Sequence, residues 1–178
     1  MIEFSFDKYK IVVQLSERPV TYDLWLQHAK YFDVADLTKE GTPVYIGISQ
    51  GKGWHEDVIA FSADPVDYGG FYPGFLLVAE TDTFFIGAGT VIKIYDLKNH
   101  KKVFQKELSV GFWGWERFGE YVVMLEELEF GIYDLSGAQL WSTFVEPPWT
   151  YKIDNDIITL DVMDETTRRN IKTGSLLK

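Results

Sequence analysis

The sequence predicts an all-β protein of antiparallel hairpin and meander repeats, with one short helix in its first half. Three observations lead there. Aromatic residues make up 16% of the chain, with 6 Trp, 10 Tyr and 13 Phe, and such rings suit a pleated, half-buried surface. Short apolar runs alternate with turn-forming Gly, Asn, Asp and Pro throughout. A strand–turn–strand pattern also repeats in the C-terminal half, roughly 38 residues apart.

Tyr9-Lys10-Ile11-Val12-Val13-Gln14-Leu15 reads as the first strand. Between Thr21 and Phe32, apolar residues at Tyr22, Trp25, Leu26, Ala29 and Phe32 fit a short helix with Thr21 as N-cap. The alternation Val20, Tyr22, Leu24, Leu26 fits a strand as well. Val44–Ser49 and Asp57–Ser62 read as strands joined by the hairpin-like loop Gln50–Glu56. Ala63–Gly74, with two Pro and three Gly, reads as a long loop, and Phe75–Ala79 as a buried strand.

From about residue 81 the chain becomes regular. Ile92-Lys93-Ile94-Tyr95-Asp96-Leu97 is echoed by Phe130-Gly131-Ile132-Tyr133-Asp134-Leu135, and a fainter third copy falls on Asn170-Ile171-Lys172-Thr173-Gly174. Strands precede them at Thr83–Ile86, Tyr121–Leu125 and Ile157–Leu160. Asn99, Gly137 and Gly174, residues that tolerate positive φ, follow at the tight turns that antiparallel strands need. Phe104 and Trp141 open the next strands.

These residues resemble a β-propeller blade of the quinoprotein or WD-repeat kind. The run Tyr133-Asp134-Leu135-Ser136-Gly137-Ala138-Gln139-Leu140-Trp141 is similar to the D-x-x-G-x-x-x-W edge of such blades. In those families the tryptophan docks between neighbouring blades. The resemblance covers about residues 81–178. The third copy has Lys172 where the others have Asp96 and Asp134, and Phe104 stands in place of the tryptophan. It implies a propeller-like or partial propeller arrangement, with a β-sandwich as the alternative, and carries no quinone- or metal-binding residues. The expected organisation is one domain over 1–178, irregular in 1–80 and repetitive in 81–178.

Composition narrows function. There are 17 basic against 27 acidic side chains, a net charge of −10. Phosphate backbones and anionic membranes attract clustered Lys and Arg, and here the only basic doublets are Lys101-Lys102 and Arg168-Arg169. Neither nucleic acid nor a membrane is therefore expected as a partner. Without cysteine, thiol catalysis and thiolate metal sites are ruled out. The N-terminus lacks a basic start and long apolar core, so the cytoplasm is the expected compartment.

No catalytic constellation stands out. His28, His55 and His100 have no metal-pair spacing. Of these, His55 draws attention, flanked by Trp54 and the acids Glu56 and Asp57. A histidine beside carboxylates can serve as a general base, or this can be a polar hairpin tip with a packed tryptophan. Glu126, Glu127 and Glu129 fall at an expected turn, where charge is ordinary, and His100 suits a solvated turn. No cofactor or metal is expected.

The aromatic loops are more informative. Phe112-Trp113-Gly114-Trp115-Glu116-Arg117-Phe118 and Pro147-Pro148-Trp149-Thr150-Tyr151 place Trp113 and Trp149 at equivalent points of successive repeats. Their rings either fill the space between blades or form an aromatic, acid-rimmed surface. The expected function is a non-catalytic binding module with a protein partner, for which the acidic charge suits a basic one, including an inhibitor or immunity-type role. The candidate binding residues are Trp113, Trp115, Glu116, Trp149, Tyr151, Trp54, His55, Tyr68 and Tyr72. The alternatives are a small sugar hydrolase using His55 and nearby acids, and self-association through exposed strand edges.

Overall fold

The computed structural model describes residues 1–35, 37, 41–63 and 72–178. They form four sheets in chain order, the last three of them wholly antiparallel. The first sheet holds β1 (Ile2–Phe6), β2 (Tyr9–Leu15), β4 (Thr42–Gln50), β5 (Asp57–Ala63) and β3 (Tyr31–Val34), in that spatial order. The second sheet runs β6 (Gly74–Val78), β7 (Thr83–Ala88), β8 (Val91–Asp96), β9 (Lys101–Glu107). The third runs β10 (Phe112–Phe118), β11 (Tyr121–Glu126), β12 (Glu129–Asp134), β13 (Gln139–Phe144). The last has β14 (Trp149–Asp154), β15 (Ile157–Val162) and β16 (Glu165–Asn170).

The helix expected near Thr21 is present as α1 (Tyr22–His28), although Thr21 makes no side-chain capping bond. Its presence follows from topology. Strand β2 is antiparallel to β4, β4 to β5, and β3 is parallel to β5, so β2 and β3 run the same way in one sheet and their connection needs a crossover. The helix supplies it and packs Tyr22 and Trp25 on Val12, Tyr45, Val58 and Ala60. The opposite face of β4 and β5 meets the second sheet through Ile46, Ile48, Ile59 and Phe61. Both faces are thus buried, which explains the nearly unbroken apolar run from Val44 to Ser49.

Two further cores follow in sequence. Phe85, Ile92, Ile94, Val122, Met124 and Tyr133 fill the seam between sheets two and three. Val123, Phe130, Ile132, Trp149, Ile158 and Leu160 fill the seam between three and four. Successive residues of β11 serve alternate cores, as the period of two requires. Among the described residues no core cluster joins the fourth sheet to the first. On the outer face of the fourth sheet, Thr150, Lys152, Asp161, Thr166 and Arg168 are exposed. The stack is a propeller-like row of sheets, covered by a helix at one end and polar at the other, as the terminal units of stacked repeats need to be.

The docking expected of Trp141 is seen directly. Its indole Nε1 donates to the Ile171 carbonyl at 2.6 Å, and the Gly174 turn lies so close that a Cβ there would meet the ring at 2.7 Å. Gly137 likewise turns at φ 90° against Ile94, leaving no room for a side chain. In the first repeat, His100 takes the positive φ expected of Asn99, at 50°. Asn99 instead donates its amide groups to the Asp96 carboxylate. Strands β1 and β3 lie outside the sequence reading, as do the inner strands β10 and β14, while the inner strand β6 matches the strand expected at Phe75–Ala79. The segments read as aromatic loops are two of these strands. No helix of the described chain is long and apolar enough to cross a membrane.

Candidate functional site

Strand β10 is where the sequence misleads most. Trp113 and Trp115 are two apart, so a regular strand would point them the same way. The register with β11 slips: Phe112 pairs Glu126 and Gly114 pairs Leu125, leaving Trp113 as an extra residue. Such a bulge re-aims the side chains around it. Phe112 and Trp115 both enter the core shared with the second sheet, where Phe112 lies over the bare backbone of Gly87 and Gly74. Trp113 is released toward the fourth sheet.

There Trp113 stacks on Trp149 of β14, with ring centroids 5.3 Å apart and planes 9° apart. Trp149 is 9% exposed and Trp113 45%. The buried ring is anchored in turn, because its Nε1 donates to the Glu127 carbonyl at 3.0 Å and its edge meets Phe130. Glu116, on the same side of β10, accepts the Tyr151 hydroxyl. Burial, then the bond to the Glu116 carboxylate, push the Tyr151 pKa well above its ordinary value, so the phenol stays protonated and donates. Beyond this pair a cavity of about 320 Å3 opens between Glu116 and Phe118 on one side and Tyr151, Lys152 and Ile153 on the other. The result is an aromatic mouth of Trp113, Trp149 and Tyr151 along β10 and β14, with this cavity beside Tyr151.

The remaining predicted residues lie elsewhere. Trp115 is committed to the core, against Phe85 and Tyr133, and its buried Nε1 has no hydrogen-bond partner. Trp54, 47% exposed, stacks on His28 of α1 at 4.8 Å, on the far face of the first sheet. Tyr72 is 73% exposed. Tyr68 lies outside the described residues. His55 is no hairpin tip: its ring packs edge-on against Trp25 at 4.5 Å and over Gly47, and burial lowers its pKa. Its acidic neighbours diverge, Glu56 to Lys30 and Asp57 to His100. His55, Glu56 and Asp57, weighed as a constellation for the alternative hydrolase reading, therefore do not converge.

Two readings of polar residues are corrected. His100 is half-buried, with Nδ1 3.0 and 3.1 Å from the two Asp57 carboxylate oxygens. Glu126 is not a solvated turn residue; it ends β11 and is fully buried. Local sequence hides both, because the neighbouring sheet decides each environment. Among the described residues no three His, Asp or Glu side chains converge as a metal-binding set.

No protein-family model matches the chain, and no curated protein matches its sequence. Solved structures do resemble it at low identity. The computationally designed Ika4 protein aligns at 16% identity and TM-score 0.43, over 59% of this chain and 69% of Ika4. BamB from Moraxella catarrhalis aligns at 13% identity and TM-score 0.44, over 83% of this chain and 47% of BamB. Hsv2 from Kluyveromyces lactis aligns at 8% identity and TM-score 0.35, over 59% of this chain and 35% of Hsv2. BamB and Hsv2 are propeller-type proteins, and this chain spans less than half the length of either.

Proposed function

We propose that the chain is a non-catalytic binding module that receives a protein partner across the aromatic mouth between its third and fourth sheets. One observation carries the reading: Trp113 is half exposed yet already held in place on a buried, hydrogen-bonded Trp149. A ring fixed before the encounter loses little freedom on binding, which favours affinity. Phe118, 38% exposed, extends the apolar surface, while Glu116, bonded to Tyr151, supplies a polar rim, the usual anatomy of an interface centre. With a net charge of −10, a basic partner in the cytoplasm is favoured by long-range attraction.

The test is a comparison of Trp113→Ala with Trp54→Ala, each shown folded by circular dichroism, in capture from a lysate followed by titration of the captured protein. Loss of a hot-spot ring costs about 2 kcal/mol or more, roughly 30-fold in Kd. The expected result is a partner weakened by that factor in Trp113→Ala and unchanged in Trp54→Ala. Equal capture by both variants would place the binding surface elsewhere.

A further inference from the structure

A second site lies at the seam between sheets two and three, away from the aromatic mouth. Strand β11 sends Val122 and Met124 into the core of that seam, and alternation sends Glu126 the same way. In the neighbouring repeats the corresponding strand ends are Ala88 and Val162, both packed in apolar cores. The fold thus uses an apolar residue at this position twice and a carboxylate once. Glu126 is 0% exposed. Its Oε1 accepts the Val110 amide at 3.0 Å, but its Oε2 is buried with no hydrogen-bond partner. An orphaned carboxylate oxygen is costly in a folded protein and asks for an explanation.

The explanation lies in what surrounds it. Glu126 lines a cavity of about 280 Å3 together with Lys106, Ser109, Glu129, Thr143 and Phe144. Lys106 is already engaged, donating to both Glu129 carboxylate oxygens at 2.6 Å. Two carboxylates therefore face one ammonium, which leaves an uncompensated negative charge when Glu126 is ionised. The serine and threonine hydroxyls add neutral acceptors, and Phe144, 68% exposed, offers a ring to an alkyl stem or a cation. The volume is at the small end for ligand sites and suits one head group.

We infer that this cavity binds an organic cation, an alkylguanidinium or alkylammonium group that donates to Glu126 Oε2. A metal ion is a poor fit, because hard cations want six or more oxygen ligands and no metal-binding set converges among the described residues. An anion would meet two carboxylates. The cation can be a free amine or the side chain of an arginine or lysine in another protein, and the recognition chemistry is the same.

Burial raises the Glu126 pKa and the Glu129 charge adds to it, outweighing the Val110 and Ser109 amides and the Lys106 ammonium. Binding a cation to the ionised form then tightens as pH rises through the raised Glu126 pKa.

The deciding experiment is an amide-resolved NMR titration of the full chain with agmatine and with acetyl-Gly-Arg-Gly-amide. Acetyl-Gly-Gln-Gly-amide is the neutral control, and wild type is run beside Glu126→Gln and Trp113→Ala. Expected are saturable shifts at the Ser109, Val110 and Leu128 amides, weakened at least tenfold by Glu126→Gln and unaffected by Trp113→Ala. Binding should tighten with pH in wild type and lose that dependence in Glu126→Gln. Agmatine and the arginine peptide binding alike would point to a free amine, and binding of the peptide alone to a side chain of a partner; either supports the site. Absence of saturable shifts in wild type, or equal binding by Glu126→Gln, would leave a solvent-filled cavity and overturn the inference. The Trp113→Ala arm separates this outcome from failure of the aromatic docking surface.

Discussion

The first and last seams of the stack are held by different chemistry. Between sheets one and two, charged groups cross the core. Asp33 accepts the Tyr95 hydroxyl at 2.6 Å and lies 3.2 and 3.0 Å from the Lys93 and Lys102 ammoniums. His100 reaches Asp57, and Asp82 takes Tyr9 at 2.9 Å and Lys8 at 2.7 Å. Between sheets three and four the contact is almost wholly aromatic and aliphatic, with two indole N–H groups tied to backbone carbonyls. Charged bonds are directional, so the first seam sets one relative placement of its sheets and encloses its polar atoms. Apolar burial is non-directional and tolerates an open edge, so the last seam can keep Trp113 available. One seam is finished within the chain, and the other leaves surface for a partner.

Breaking the first seam should have the largest effect. Lys93 is 3% exposed, and Asp33→Ala would leave its ammonium without a carboxylate. Removing one member of a buried pair costs about 3–5 kcal/mol, to be read as a lower urea midpoint at unchanged m-value. The paired change Asp33→Leu/Lys93→Met should recover most of that loss. If Asp33→Ala is as stable as wild type, the network is not what holds the seam.

Trp149→Ala should be nearly as severe, at about 3–5 kcal/mol for a buried tryptophan. Trp113→Ala, at the exposed side of the same stack, should cost only about 1 kcal/mol, the scale of an aromatic pair contact. Comparable losses in both would show that the mouth is core rather than a docking surface.

Within the first seam, the two carboxylates should respond to pH in opposite directions. Burial raises the Asp57 pKa to about 6 despite the bond to His100. A raised folded pKa means that this group's contribution is full below the unfolded value of 3.8 and lost as pH rises through about 6. The shift corresponds to about 2–3 kcal/mol, and Asp57→Asn should remove that decline. Asp33 works in the opposite direction. Burial raises its pKa, but Tyr95, Lys102 and Lys93 together outweigh it and hold the carboxyl below its ordinary range, so its share is lost on acidification. Denaturation of wild type and Asp57→Asn from pH 4 to 7 checks this; identical profiles would show that Asp57 does not titrate in the window.

The smallest expected effect is at the rim. Tyr151→Phe removes the hydroxyl bonded to exposed Glu116, and a hydrogen bond of this kind contributes about 0.5–1.5 kcal/mol. A larger loss would make Glu116 and Tyr151 part of the core of the last seam.

Much of this was legible in the sequence. The middle strands of every repeat were visible because their alternation and turn residues are local: Thr83–Ile86, Ile92–Leu97 and Tyr121–Leu125 each carry their own pattern. Gly137 and Gly174 marked their turns because few other residues adopt positive φ without strain. Trp141 was legible as a blade-edge ring only through the resemblance of the Tyr133–Trp141 run to a propeller blade edge. The pairing of Trp113 with Trp149 was foreshadowed by their equivalent positions in successive repeats.

Other features belong to the tertiary structure alone. The faces of Trp113 and Trp115 were decided by a one-residue bulge, and a bulge depends on the partner strand's register, which no local pattern encodes. His55 and His100 look alike as polar turn residues, yet one is half-buried against Trp25 of α1 and the other is claimed by Asp57 of a different sheet. Glu126 sits among three glutamates that local rules assign to a turn, and only the stacking of the second sheet on the third buries it. Period and turn chemistry act over a few residues and are written into the chain. The environment of a charge or a ring is set by whatever packs against it, and here that is a strand about twenty to sixty residues away.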